Sequence, residues 1–376
     1  MSTTDPTEIR IPTDLLPADG RFGCGPSKVR PTAVAGLAAT GTAFMGTSHR
    51  QPTVKSLVGR LRSGLSELFE LPEGYEVTLG NGGATMFWDI ATFSLIERRS
   101  QHLVFGEFST KFGAASAAAP HLDAPSIIES ATGTHPSVQP EAGIDLYALT
   151  HNETSTGVMM SLARPGGADA DALVAVDATS GAGGLAFDPS EVDAYYFAPQ
   201  KCFGSDGGLW VALLSPAAID RVRRLGSRWK PASLDLGIAL DNSVLNQTYN
   251  TPALATLWLL ADQVGWMLGK GGLAGCAARS SRSAETLYEW AAASSFASPF
   301  VVKPDERSTV VGTIDLDASV TERAVCQALR ANGIVDTESY RKLGRNQLRI
   351  GMFPNVEPDD VEALTHCIDY VAERLA

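Results

Sequence analysis

Two charged residues follow apolar runs in the middle of the sequence. Asp177 closes the run at 173–176, and Lys201 comes just after the run at 194–198. If both runs are strands of an open α/β sheet, the two side chains lie at its carboxyl edge, where such sheets bind ligands. An amine and a carboxylate there suit pyridoxal phosphate, because the lysine can hold the cofactor as a Schiff base and the carboxylate can keep its pyridine nitrogen protonated. Taken alone, the pair is better explained as a structural ion pair or as two unrelated turn charges.

A glycine-rich stretch offers the phosphate site that such a cofactor needs. Gly80, Gly82 and Gly83 follow a strand-like segment, and Ala84 and Thr85 begin a helix-like one. Glycine lets the backbone approach a ligand, and the free N–H groups of a first helical turn attract an anion. The spacing fits neither the dinucleotide fingerprint nor a P-loop. The stretch predicts either a tight turn or a cup for one phosphate, and the turn is favoured when the stretch stands alone.

Arginines and an aromatic residue add possible binding groups. Arg349 alternates with the apolar Leu348 and Ile350 in a strand-like segment. A half-buried guanidinium there needs an anionic partner, and its fork fits a substrate carboxylate. Phe108 follows a short strand and could stack on a cofactor ring, although a core or rim position explains it at least as well.

Other cations lie in loop-like segments. His49 and Arg50 are adjacent, and Arg341, Lys342 and Arg345 lie close together before the Arg349 strand. A solvated loop is the simpler interpretation of the last three.

Composition excludes several classes of protein. The chain has 376 residues, a net charge of −12 and a sequence pI of about 5.0, with no basic stripe, so we expect no nucleic-acid partner. No apolar run approaches the roughly 20 residues that cross a membrane, and the polar N-terminus does not resemble a signal peptide. The scattered cysteines predict reduced thiols in the cytoplasm and no zinc site. They are Cys24, Cys202, Cys276, Cys326 and Cys367.

The pattern of apolar runs along the chain predicts an α/β protein. Short apolar runs alternate with helical patterns through the long middle of the chain, and the run at 209–214 is expected to return antiparallel because its connection is short. We expect a helix at 86–99 after the glycine stretch. The sequence predicts an N-terminal arm at 1–20, a large domain at 21–267 and a small α+β domain at 268–376, against which the arm packs.

Several blocks together resemble one family. They are FGCGPSKVR, GTSHR, NGGAT, HNETSTG, VDATSGAGG, YYFAPQKCFGSDGGLW, NQTYNTPA and LRIGMFPN. In this order they are similar to the phosphoserine aminotransferases, class V members of the fold-type I pyridoxal phosphate enzymes. The resemblance covers about residues 21–355. It implies a large domain with a mostly parallel seven-stranded sheet and a small C-terminal α+β domain.

The resemblance also implies roles at the cofactor. Lys201 would be the Schiff-base lysine and proton shuttle, and Asp177 would pair with the pyridine nitrogen. Thr154 would hydrogen-bond the 3-oxygen, and Phe108 would stack on the ring. The groups implied around the cofactor phosphate are Gly83, Ala84, Thr85 and Gln200, with Asn250 and Thr251 supplied by the neighbouring subunit of an obligatory homodimer.

On the substrate side, the resemblance implies that Arg349 clamps the α-carboxylate. His49, Arg50 and Arg341 would hold the substrate phosphate or the distal carboxylate of glutamate. Many members have an arginine where Ala84 stands and a histidine where Tyr340 stands. Which of Arg341, Lys342 and Arg345 meets the substrate therefore stays open.

The implied reaction transfers the amino group of glutamate to 3-phosphohydroxypyruvate and gives O-phosphoserine and 2-oxoglutarate. A related step of pyridoxine synthesis is left open. One alternative is another class V pyridoxal phosphate enzyme, such as a cysteine desulfurase, for which Cys326 would be the nucleophile, but that cysteine falls in an amphipathic helix. Another is a cofactor-free anion-binding module in which Lys201 is structural.

Overall fold

A computed structural model describes residues 5–375. Helices and strands alternate through most of this range, as the sequence pattern predicts. The helices are α1 (Pro31–Ala39), α2 (Pro52–Leu68), α3 (Ala84–Ser94), α4 (Glu107–Ala118), α5 (Pro216–Arg224), α6 (Leu236–Val244), α7 (Leu254–Gly269), α8 (Gly272–Ala293), α9 (Glu322–Ala331) and α10 (Pro358–Leu375). The strands are β1 (Glu76–Gly82), β2 (Ser100–Val104), β3 (Ser126–Glu129), β4 (Leu146–Thr150), β5 (Asn152–Glu153), β6 (Val158–Met159), β7 (Leu173–Asp177), β8 (Ala194–Phe197), β9 (Gly208–Leu214), β10 (Ala297–Pro299), β11 (Val311–Leu316) and β12 (Gln347–Gly351).

The main sheet has seven strands in the order β1-β9-β8-β7-β4-β2-β3. Strand β9 is antiparallel to both of its neighbours, and the other adjacent pairs are parallel. The return of β9 beside β8 confirms the expectation from the short connection. The strands at the centre of the sheet are buried along their whole length, which explains why they appear in the sequence as continuous apolar runs.

Helices cover both faces of this sheet. Helices α2 and α7 pack on one face, where Tyr195 and Phe197 of β8 enter the core. Helix α3 packs on the other face, where Phe87 stacks on Tyr196 with ring centroids 4.3 Å apart. Because alternate residues of a strand point to opposite faces, one short apolar segment anchors both layers and so fixes where the chain after β8 emerges.

A second sheet follows near the C-terminus. Strands β10, β11 and β12 form an antiparallel sheet, which shares a core with α8, α9 and α10. The N-terminal segment adds Ile9 and Ile11 to that core, and Asn332 bonds the backbone of both residues. The segment before the first helix therefore lies on the C-terminal sheet.

Helix α3 is shorter than the sequence predicts. We expect a helix at 86–99, but α3 ends at Ser94. The carboxylate of Asp145 accepts hydrogen bonds from the backbone N–H groups of residues 97, 98 and 99 at 2.6–2.8 Å. These N–H groups cannot then bond within a helix, so a carboxylate distant in sequence ends the helix.

Candidate active site

The carboxyl ends of several strands of the main sheet open into one cavity of about 350 Å³. The glycine stretch forms the end of β1, Phe108 follows β2, Thr154 follows β4, Asp177 ends β7, and Lys201 follows β8. This is the edge at which open α/β sheets bind ligands. Eight of the residues singled out from the sequence line the cavity: Gly83, Ala84, Thr85, Phe108, Thr154, Asp177, Gln200 and Lys201.

Lys201 is a buried amine in the turn between β8 and β9. Its side chain is 9% exposed, and its Nζ donates a 2.7 Å hydrogen bond to the carbonyl oxygen of Cys24. Burial lowers the pKa of the amine from 10.5 to about 8, and the cation of Arg349 acts in the same direction. A lysine that loses its proton this close to neutral pH is available as a nucleophile toward a carbonyl group.

Gly25 leaves the space that the Lys201 side chain occupies. A Cβ atom built at this position would lie 2.1 Å from Lys201 Nζ, and its φ of +139° is one that L side chains rarely adopt. Glycine is therefore required here both by the backbone angle and by the approach of the lysine. The FGCGPSKVR block contributes to the site through its backbone, since the carbonyl of Cys24 accepts the hydrogen bond.

Asp177 is buried at the carboxyl end of β7. Thr179 donates to Oδ1 from Oγ1 at 2.5 Å and from its backbone N–H at 3.0 Å, and Trp88 Nε1 donates to Oδ2 at 2.9 Å. Burial raises the pKa of this carboxyl group, and the three hydrogen bonds partly offset that rise. Hydrogen-bond donors thus surround a desolvated carboxylate and favour its ionised form, which is the form that can hold a positive charge.

The glycine stretch forms an open cup before α3. Gly82 has a φ of +121°, Gly83 is extended, and α3 begins at Ala84. A Cβ atom built on Gly83 would meet no heavy atom within 4 Å, so the backbone here faces free space. The first N–H groups of a helix have no partner inside it and suit an anion. Gln200 adds a buried Oε1 that has no hydrogen-bond partner among residues 5–375.

The NET segment connects the site to two other elements. Thr154 Oγ1 donates to Ser180 Oγ at 2.8 Å, and its carbonyl oxygen accepts from Arg349 Nη1 at 3.3 Å. Glu153 is fully buried and accepts from the N–H groups of Phe108 and Ser109 at 3.1 and 2.9 Å. Thr154 thus faces the cavity, and Glu153 fixes the start of α4, which carries the aromatic ring of Phe108.

Arg349, on β12 of the C-terminal sheet, lies beside the cavity, where it donates to the carbonyl oxygen of Thr154, and is not among the residues that line it. Its guanidinium lies 5.2 Å from the ring centroid of Tyr340, and its buried Nε has no hydrogen-bond partner within the described range. Among residues 5–375, the guanidinium of Arg349 also forms no ion pair with a carboxylate. Free donors on a half-buried guanidinium are a binding site for a carboxylate.

Four of the residues singled out from the sequence lie together outside the Lys201 cavity: His49, Arg50, Asn250 and Thr251. His49 Nδ1 is 3.2 Å from Thr251 Oγ1, and Asn81 donates to the carbonyl oxygens of Thr251 and Asn250. Arg50 is exposed and donates to the side chain of Gln247. None of the four lines the Lys201 cavity of the same chain, as far as residues 5–375 are concerned. Burial and the neighbouring Arg50 lower the pKa of His49, so its ring is neutral at neutral pH.

The three loop cations before β12 differ in their partners. Lys342 pairs with Glu107, and Arg345 pairs with Asp315 while lying 4.6 Å from the ring centroid of Phe300. Arg341 is exposed and has no ion-pair partner in the described part of the chain. Of the three, Arg341 is the one whose charge is available to a ligand.

Sequence reasoning missed residues that hold the site together. Trp88 and Thr179 donate hydrogen bonds to Asp177, Ser180 accepts one from Thr154, and the carbonyl oxygen of Cys24 accepts one from Lys201. Trp88 lies one helical turn after Ala84 on the same face of α3, so its place near the cup could be inferred from the spacing, but its bond to Asp177 could not. Cys202, for which the sequence suggested only space filling, donates to the carbonyl of Ser180 at 3.1 Å.

Between residues 5 and 375, no group of three or more His, Cys, Asp or Glu side chains is arranged to hold a metal ion. Over the same range, no helix combines the length and the apolar character needed to cross a membrane.

Known proteins with similar sequences or structures agree on one family. Residues 139–364 match the family described as Aminotransferase class-V. A phosphoserine aminotransferase of Nocardioides sp. is 60% identical over 370 residues, which are 98% of this chain and 99% of the relative. The crystal structure of a phosphoserine aminotransferase from Cytophaga hutchinsonii has a TM-score of 0.84 at 25% identity and covers 93% of this chain and 99% of its own. The PLP-bound phosphoserine aminotransferase of Trichomonas vaginalis has a TM-score of 0.81 at 19% identity and covers 93% and 99%.

The fold and the cavity together define a fold-type I enzyme that uses pyridoxal phosphate. This chain belongs to the class-V aminotransferase family. The predictions of the fold class, the family and the cofactor are thereby confirmed.

Proposed function

We propose that the protein transfers the amino group of glutamate to 3-phosphohydroxypyruvate, giving O-phosphoserine and 2-oxoglutarate in serine biosynthesis. The observation that carries this proposal is the shared cavity of Lys201, Asp177 and the glycine cup, which Arg349 approaches from β12. The relative from Nocardioides sp., at 60% identity over nearly the whole chain, bears the name of this activity.

The residues present fit pyridoxal phosphate. The free backbone N–H groups of the cup offer donors for a phosphate, Gln200 lines the same cavity, and Asp177 offers a buried carboxylate for a pyridine N–H. Lys201 supplies the amine for covalent attachment, and Phe108 lies with its ring centroid 6.0 Å from that amine. When bound, the cofactor supplies an electron-accepting ring that stabilises negative charge at the substrate α-carbon.

The protein's own part in the reaction is to orient and to move protons. Lys201 Nζ would take the proton from the α-carbon of the amino-acid substrate, and it would give a proton to the α-carbon of the keto acid in the opposite half-reaction. Asp177 keeps a proton on the pyridine nitrogen by presenting a negative charge to it. Arg349 holds the α-carboxylate of either substrate, and this fixes the α-carbon proton relative to the lysine.

The second anionic group of each substrate requires cations that this cavity lacks within one chain's described residues. We propose that a homodimer completes the site, with the cation of Arg50 and the neutral, hydrogen-bonding ring of His49 from one subunit at the cavity of the other, and with Asn250 and Thr251 beside its phosphate cup. Arg341 is the third candidate. Large apolar side chains between residues 229 and 249 support a dimer surface, because they are solvent-exposed in the single chain: Trp229, Val244, Leu245 and Tyr249 are 79%, 47%, 59% and 49% exposed.

The same proposal covers organisation and location. We propose an arm at 1–20, a large domain at 21–267 and a small domain at 268–376, and the presence of two sheets with separate cores supports this division. A reducing compartment such as the cytoplasm suits the five unpaired cysteines. The desulfurase alternative is disfavoured because Cys326 is buried in α9 and burial raises the pKa of its thiol to about 12.

A spectrophotometric half-reaction tests the chemistry. The purified protein, loaded with pyridoxal phosphate, is mixed separately with O-phosphoserine, glutamate, alanine and cysteine. O-phosphoserine and glutamate should convert the visible absorbance of the lysine-bound cofactor, and alanine should not. Lys201→Ala should lack that absorbance while the exposed-lysine control Lys270→Ala retains it. Sulfide release from cysteine, or full absorbance in Lys201→Ala, would overturn the proposal.

Subunit mixing tests the shared site. Lys201→Ala and Arg50→Ala chains are each expected to be inactive alone with the phosphorylated substrate. Refolded together, half of the dimers should be mixed, and each mixed dimer has one site with both residues intact if Arg50 acts across the interface. Activity should then recover to about a quarter of wild type. If Arg50 serves its own cavity, mixing restores nothing.

A further inference from the structure

Within residues 5–375, Trp88 is the one residue of another helix or strand that forms a hydrogen bond with the side chain of Asp177. Thr179, two residues further on, supplies both donors to Oδ1. Trp88 Nε1 supplies the donor to Oδ2, from helix α3 and 89 residues away in sequence. The orientation of the carboxylate therefore depends on one local and one distant partner.

These three bonds leave one acceptor position. An ionised carboxylate offers about four lone-pair sites on two oxygens. Thr179 occupies both sites of Oδ1, and Trp88 occupies one site of Oδ2. The remaining site, on Oδ2, is the one that a pyridine N–H can use, so the indole decides which lone pair of Asp177 faces a ligand.

The indole itself is held firmly. Trp88 is 4% exposed, lines the cavity and lies nearly parallel to Phe112, with ring centroids 6.4 Å apart and an interplanar angle of 14°. It stands one turn beyond Ala84, the first residue of α3, and the same helix offers its N-terminus to the phosphate. One rigid element therefore sets both the phosphate cup and the direction of the carboxylate.

We propose that Trp88 is a positioning residue that aims the Oδ2 atom of Asp177 at the cofactor nitrogen and stabilises the ionised carboxylate there. This inference rests on the role proposed above for Asp177. Burial raises the pKa of Asp177, and the Trp88 bond acts in the opposite direction. Removing a hydrogen-bond donor from a buried charged group should weaken the binding equilibrium that depends on that charge by about a factor of ten or more.

Other titratable groups near the carboxylate do not obscure its titration below pH 7. Burial raises the pKa values of Tyr195 and Tyr196 well above 10, and it lowers the pKa of His151 to about 3, so all three are neutral. Lys201, with a pKa of about 8, stays protonated there. Asp206 lines the same cavity but lies at its exposed rim.

The test uses pyridoxamine 5′-phosphate, which binds without a covalent bond, so the lysine chemistry does not enter the measurement. Its Kd for the full-length apoprotein is measured from pH 5 to 9 in wild type, Trp88→Phe and Phe112→Leu. Phe112→Leu perturbs the same packing but removes no bond to Asp177. Thermal unfolding of each apoprotein reports whether the fold is retained.

We expect Trp88→Phe to weaken binding about tenfold at pH 7 and to move the acid limb of the profile up by about one pH unit. Phe112→Leu should leave the limb in place. If Trp88→Phe does not fold, benzothienylalanine at position 88 replaces only the N–H by sulfur and should give the same shift. The inference is overturned if the pH profile of Kd for the variant without the N–H donor superposes on that of wild type. It is also overturned if Phe112→Leu shifts the acid limb of that profile equally. If wild type binds neither pyridoxamine phosphate nor pyridoxal phosphate, the proposed function itself fails.

Discussion

Replacing Gly25 by alanine should separate Lys201 from its cofactor. The new Cβ would lie 2.1 Å from Nζ, 2.5 Å from Cε and 2.8 Å from Cδ of the lysine, whereas ordinary contacts begin at 3.4 Å. The end of the side chain must therefore move by about 1.3 Å, the difference between 3.4 and 2.1 Å, and it must leave the carbonyl oxygen of Cys24. A displacement of this size at a reacting group costs about 100-fold in rate.

Backbone strain adds to this effect and can be measured apart from it. Alanine at a φ of +139° is expected to cost about 1–3 kcal/mol of folding free energy. Gly143 has a φ of +81°, and a Cβ atom there would meet nothing within 4 Å. Gly143→Ala is thus a matched control that introduces strain at an exposed turn without touching the lysine.

The assay is covalent trapping. Each variant is loaded with pyridoxal phosphate and reduced with borohydride, and the amount of cofactor fixed to Lys201 is measured by peptide mass spectrometry. Gly25→Ala should trap a small fraction of the wild-type amount, and Gly143→Ala should trap all of it. Full trapping and wild-type kcat in Gly25→Ala would refute the reasoning, since the lysine would then reach its position with a methyl group in the way.

Three further predictions concern the same cavity. Asp177→Asn should lower kcat by about 100-fold or more, because the neutral amide cannot hold the pyridine proton, and steady-state kinetics checks this. Arg349→Lys should raise KM for glutamate about tenfold with a smaller change in kcat, because an ammonium cannot form the two-point contact; equal losses in both constants for this variant would contradict a binding role. The pKa of Lys201 is lowered to about 8, so between pH 8 and 10.5 the folded apoprotein binds fewer protons than the unfolded chain. Its free energy of unfolding should then rise with pH in that window, by up to about 3 kcal/mol relative to Lys201→Met, in denaturant titrations.

Much of the fold could be predicted from the sequence because central strands are buried on both faces. The runs that end at Asp177 and precede Lys201 are adjacent parallel strands, in which Asp177 pairs with Tyr196. Strand ends in a parallel sheet share one edge, so the two charges could be placed together without any structure. The family resemblance then added the activity and the cofactor, which strand patterns alone do not specify.

What the sequence did not predict are partners chosen by tertiary packing. The indole of Trp88 is an ordinary apolar helix residue in the pattern, and its bond to Asp177 exists only because α3 packs on that part of the sheet. The early end of α3 has the same origin, since Asp145 captures three N–H groups from a distance. Side-chain hydrogen bonds between distant segments leave no periodic signal.

The contact between Arg349 and the carbonyl of Thr154 has a consequence for synthesis of the protein. The two residues are 195 positions apart, and the pair of Lys201 and Cys24 is 177 apart. Contacts of such separation form late, because the long intervening loops must close first. A nascent chain emerging from the ribosome can build most of the main sheet before β12 exists, so it passes through a stage with the amine in place but no carboxylate clamp. Competence to select a substrate is acquired only once β12 has been synthesised and has paired with β11.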